Sequence, residues 1–239
     1  MLKATDFHLA IVQLVIFTPE VSTFSTPKAL ATILGEFSHI YDGDVQTTPS
    51  SDQIQIPPDF PKVILQSKDQ SLRLEIAPLR ITSQWAKLEQ QETELQNIIS
   101  QSLEVLEHYI HNLEVKVGRL GLVLIRIHQS ENPSQLIIER LCKPELQNTI
   151  FKNTKNLDFR NHQRIILDNC DVNSVMTCKT GLMKINDIES QGVIVEQDLN
   201  TLAEEMEQRS FKIEDLKKYF QLAAEEAELN LKIHFPEEV

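Results

Sequence analysis

The sequence predicts an α+β protein built on an antiparallel sheet, and three observations predict it. Apolar residues alternate with polar ones at a period of two, as in Leu72-Arg73-Leu74-Glu75-Ile76, the pattern of a half-buried strand. Neighbouring apolar runs are joined mostly by hairpin-like turns rather than by helical crossovers, which favours antiparallel pairing. Two long stretches, about 83–113 and 212–234, carry apolar residues at helical spacing. The expectation is a sheet of about six or seven strands packed by two long helices.

Taken in order, Asp6 to Phe17 reads as a strand rich in β-branched residues. Its run Leu9 to Phe17 follows Lys3 as a signal peptide would. Asp6, His8 and Gln13 interrupt that pattern, and no small-residue cleavage site follows. Thr26-Pro27 opens a helix, with Thr as N-cap and Pro at the first helical position. Leu30, Ile33, Leu34 and Phe37 share its inner face, and it ends near Gly43. Asp44 to Pro61 is rich in Thr, Ser, Asp and Pro and reads as an exposed loop. Lys62 to Gln66 and Leu72 to Ile76 form a hairpin across the polar turn Ser67 to Ser71. Ser83 is read as the cap of a helix running to about Leu113. Leu88, Leu95, Ile99, Leu106, Tyr109 and Leu113 follow a seven-residue repeat that Glu92 and Ser102 break. That break predicts a helix laid across a sheet rather than a coiled-coil seam.

Arg119 to His128 is a strong strand, and Pro133 to Cys142 a further helix. Leu157 to Asp168 and Asn173 to Lys179 are strands joined near Asp168-Asn169, and Gly192 to Gln197 is another. The last helix runs from Lys212 to about His234, with Leu216, Phe220, Ala223, Ala227 and Leu231 facing the core. Residues 1–115 therefore hold strand, helix, hairpin and long helix. Residues 116–239 hold strand, helix, several strands and a closing helix. The halves are loosely alike and together read as one unit.

The net charge of −12 is unevenly placed. Gln84 to Val115 carries six acids against Lys87, and Glu196 to Val239 carries twelve against five cations. Both stretches are helical, so acidic faces at Glu92, Glu104, Glu107, Glu225, Glu226 and Glu228 are candidate contacts for a basic protein partner. Direct nucleic-acid binding is disfavoured, because phosphate neutralisation needs clustered cations; the stretch Lys152, Lys155, Arg160, His162, Arg164 is sparse. Three cysteines, Cys142, Cys170 and Cys178, give no C-x-x-C pair and fit reduced thiols in a cytoplasmic protein. No apolar run is long enough to span a bilayer.

Catalytic patterns are weak. Ser25-Thr26-Pro27-Lys28 with Lys179-Thr180-Gly181 matches two elements of penicillin-binding enzymes, but the middle Ser-Asp-Asn element is absent. His108 and His111 have a spacing that could offer two metal ligands, with His39 or His128 as a third. Asp168, Asp171, Glu189, Glu196 and Asp198 could supply carboxylates to a magnesium site. No cofactor is indicated.

Three segments carry a family resemblance: Pro19-Glu20-Val21 after the first strand, Leu72 to Trp85, and Gly192 to Asn200 with Leu216 to Leu231. Together they resemble a sporadically distributed bacterial family of uncharacterised α+β proteins associated with defence genes. The resemblance implies no catalytic residues. The expected function is a non-enzymatic protein-interaction module, a subunit or regulator in a bacterial defence or toxin–antitoxin-like system, with homodimerisation open. The alternatives are a ligand-binding or chaperone-like domain with an apolar cavity, or a metal-dependent hydrolase or nuclease.

Overall fold

The computed structural model describes residues 2–20, 24–48, 57–87, 94–147, 149–185 and 188–237. Strand β1 (His8–Phe17) leads through helix α1 (Thr26–Phe37) to β2 (Val45–Thr47), β3 (Val63–Gln66), β4 (Leu72–Ile76) and β5 (Arg80–Ala86), then to α2 (Leu95–Leu113). Strand β6 (Arg119–Gln129) leads through α3 (Pro133–Leu141) and the short α4 (Pro144–Gln147) to β7 (Asp158–Leu167), β8 (Cys170–Ile185) and β9 (Ile188–Thr201), then to α5 (Ile213–His234). All the strands lie in one antiparallel sheet of order β2-β3-β4-β5-β1-β6-β9-β8-β7.

That order is nearly symmetric about its centre. The first strands of the two halves, β1 and β6, pair with each other, Leu14 opposite Leu122 and Val12 opposite Leu124. Outward from them run β5, β4 and β3 on one side and β9, β8 and β7 on the other. Each half follows the same path of strand, Pro-initiated helix, antiparallel strands and long helix. One sheet thus continues across the boundary between residues 115 and 116. The halves differ at the rim, where β3 is flanked by β2 and β7 by no described strand.

Register fixes which face is the core. Val12, Leu14 and Ile16 stand beside Trp85, Ser83 and Ile81 of β5 and beside Leu124, Leu122 and Leu120 of β6. These residues form one buried cluster with Ala29, Ile33 and Phe37 of α1, Ile98, Ile99 and Leu106 of α2, and Leu216 and Phe220 of α5. Ile137 of α3 joins Met176, Cys178, Val193 and Val195 on the same face of β8 and β9. The helical layer therefore covers one face of the sheet. Cys142, Cys170 and Cys178 are free thiols, and burial pushes that of Cys178 up to about 12. Among the described residues no helix is long and apolar enough to cross a membrane.

The α+β class and antiparallel pairing match the expectation, with two corrections. Among the described residues the sheet has nine strands, not six or seven, and there are five helices of 4 to 22 residues rather than two long ones. Ser83 does not cap a helix: it lies inside β5, where Ile81, Ser83 and Trp85 alternate into the core between β4 and β1. A Ser or Thr followed by polar residues suits either a cap or a strand, and two flanking strands decide here for the strand. Helix α2 starts at Leu95; Leu88 and Glu92 lie outside the described residues.

One glycine is fixed by close packing. A Cβ on Gly118, at the entry to β6, would stand 2.0 Å from the Met206 carbonyl oxygen. Gly118→Ala is expected to cost about 1–3 kcal/mol of stability, the range for overpacking, measured by urea unfolding.

Candidate functional site

The acidic positions predicted to face a partner divide into two groups. Glu107 of α2 is ion-paired with Lys217 of α5 at 3.1 Å, which ties the two helices together. Glu228 pairs with Arg126 of β6, whose side chain is only 5% exposed. The Arg126 guanidinium also donates to Gln197 Oε1 on β9, and Gln197 Nε2 donates to the Ala227 carbonyl at 2.6 Å. These two glutamates fasten elements within the chain, while the Glu228 side chain stays 43% exposed. Glu226 is half-buried, and burial raises its carboxyl above the ordinary range. Glu104 and Glu225 remain outward, Glu225 accepting only a bond from Gln221 at 3.1 Å. Glu92 lies outside the described residues.

Among the described residues, no helix packs on the opposite face of the sheet. Strand alternation sends Ile11, Gln13, Val15 and Phe17 of β1 to that face, with Val123 and Ile125 of β6 and Ile194 of β9 beside them. An uncovered antiparallel face is normally polar. Here the central strands are mostly apolar, with Gln13 and Arg119 among them, and the other polar groups lie to either side. On one side Arg73 pairs with Glu75 at 2.6 Å, while Gln13 Nε2 donates to Gln84 Oε1 at 2.8 Å. Near the centre the Arg119 guanidinium lies 4.5 Å from the Phe17 ring centroid and donates to the Thr201 carbonyl at 3.0 Å. Sequence reasoning missed this face, because the side each residue takes depends on strand register.

On the other side the face sinks into a depression of about 260 Å³ lined by Asp158 and Arg160 of β7, Val175, Thr177 and Lys179 of β8, and Glu196 and Asp198 of β9. Lys179 reaches Glu196 at 3.3 Å, and Asn200 donates to the Asp198 carboxylate. Burial holds the Asp198 carboxyl above the ordinary carboxylate range, against the opposing pull of the Asn200 bond and of the Arg119 charge. An acid raised above its unfolded value costs stability once the pH passes that unfolded value, and the cost is complete above the folded one. Asp198→Asn is therefore expected to stabilise the chain at neutral pH and to change nothing near pH 3, measured by urea unfolding at both.

The depression gathers Glu196 and Asp198, two of the five carboxylates proposed for magnesium. Asp168 instead sits in a left-handed turn and pairs with Lys218 of α5. Among the described residues no group of three or more His, Cys, Asp or Glu could hold a metal ion. His108 reaches the Thr32 carbonyl at 3.2 Å and packs edge-on against Phe37, while His128 reaches the Asp6 carbonyl at 3.0 Å. These histidines do not converge. Ser25 stands at the start of α1 in the first half, and Lys179 lies on β8 in the second, so the penicillin-binding elements do not meet either. What the uncovered face offers is an apolar centre bordered by charges of both signs, a surface suited to a polypeptide. Neither a scan against protein-family models nor a search of curated proteins finds a match to this chain.

Proposed function

We propose that this protein is a non-enzymatic interaction module, a subunit or regulator of a larger assembly, and that it holds its protein partner on the uncovered face of the sheet. The observation that carries the reading is the half-buried apolar centre of that face, Ile11, Phe17, Val123 and Ile125, with no helix packed over it among the described residues. Covering such side chains yields about 25 cal/mol for each Å² of apolar area removed from water. The bordering charges favour polypeptide over nucleic acid, because Glu75, Asp158, Glu196 and Asp198 would repel phosphates. The resemblance noted in the sequence extends the proposal to a bacterial defence assembly.

Affinity purification of the tagged chain from its native host, at low and moderate salt, tests this. A stoichiometric partner that survives moderate salt is expected, since apolar contact is little screened. Retention of nothing, or of a partner lost as soon as salt rises, counts against an apolar docking face.

A further inference from the structure

The rim of the sheet carries a second site, the backbone edge of β7, whose Arg160 also lines the depression on the uncovered face. Strand β7 pairs along all ten residues with β8, from Asp158 opposite Lys179 to Leu167 opposite Cys170. Its other edge meets no described strand. An edge of that length presents a row of unpaired N–H and C=O groups that can template another strand. The near-symmetry of the sheet shows what is lacking. In the first half the chain between α1 and β3 contributes β2, which pairs with β3 through Val45–Leu65, Gln46–Ile64 and Thr47–Val63. In the second half the corresponding chain between α3 and β7 forms α4 and turns.

The side chains of β7 select what could fill the gap. Arg160, His162 and Arg164 occupy successive positions on the uncovered side of the strand, all exposed, and Lys152 and Lys155 precede them. Arg164 reaches only Glu204, at 3.5 Å, with both side chains more than half exposed, and such a pair is readily exchanged. Two copies of β7 laid antiparallel would set these cationic positions against one another, and like charges across a strand pair are destabilising. The same charges attract an acidic strand. We propose that β7 takes up an extended acidic segment of another protein as a tenth, antiparallel strand, with carboxylates at alternate positions facing Arg160 and Arg164.

The test uses the purified full chain and two short labelled peptides, one alternating Thr with Glu, the other Thr with Lys. The Glu peptide is expected to bind at least about tenfold more tightly by fluorescence anisotropy, the effect of a few favourable cross-strand charge pairs. It is also expected to slow amide exchange within Asp158–Leu167 alone, and the Arg160→Glu, Arg164→Glu double variant to reverse the preference. Equal binding of the two peptides, binding of neither, or protection elsewhere overturns the proposal. So does protection of β7 that grows with protein concentration in the absence of peptide, the signature of a second copy. Amide exchange within Asp158–Leu167 reports on the β7 edge and Val123→Arg on the centre of the face, so this proposal and the docking face can fail separately.

Discussion

Glu228→Gln is expected to destabilise the protein by about 1–3 kcal/mol, the range for leaving a buried hydrogen-bonding group short of a partner, because Arg126 is buried while the Glu228 side chain is 43% exposed. Its partner Arg126 is the reason. The guanidinium is buried beneath α5, with Gln197 as its neutral contact and Glu228 as its charge. Burial already pulls it below its ordinary value, and Glu228 opposes that pull. Without the carboxylate the guanidinium would be a buried charge with no counter-ion. Replacing both members, Arg126→Met with Glu228→Gln, is expected to recover much of the loss, because it removes the uncompensated charge as well as the pair. Urea unfolding of the three variants checks this. A loss below about 1 kcal/mol in the single variant would mean that Glu228 does not hold the fold, which leaves it a docking candidate.

Phe220→Ala is expected to cost about 3–5 kcal/mol, against less than about 1.5 for Phe220→Leu. Phe220 is fully buried and stacks edge-on with Tyr219 at 5.3 Å between ring centroids. Tyr219 in turn donates to the Leu199 carbonyl on β9 at 2.7 Å, which pins α5 to the sheet. Truncating Phe220 opens a cavity at the centre of the helical layer, which cannot collapse while Tyr219 and the Arg126 pair hold α5 in place. For a chain of 239 residues that loss corresponds to about 10 °C in melting temperature, measured by calorimetry. A fall of only a few degrees would mean that α5 rests loosely on the sheet.

Periodicity made most of this fold readable. Leu72, Leu74 and Ile76 alternate as β4 requires, and Leu216, Phe220, Ala223, Ala227 and Leu231 mark the inner stripe of α5. The two strands that were missed, β2 and β5, show where local signals fail. Val45–Thr47 is exposed throughout and becomes a strand only by pairing with β3. Arg80–Ala86 has side chains suited to either structure, and only the strands on both sides of it decide. The site was harder to read for the same reason. Glu228 and Arg126 lie 102 positions apart, so a glutamate that locks the core looks like any other in an acidic helix. The uncovered face draws its residues from several strands, and only the register gathers Phe17, Val123 and Asp198 onto it.

The most direct test of the docking face compares two variants of the tagged chain for partner retention in the native host. Val123→Arg puts a charge at the apolar centre of the uncovered face. Glu104→Lys with Glu225→Lys reverses the outward acids of the helical layer. Loss of the partner with Val123→Arg and its retention with the double variant, at unchanged melting temperature, is the predicted result. Retention with Val123→Arg and loss with the double variant would place the interface on the acidic helices and contradict the account.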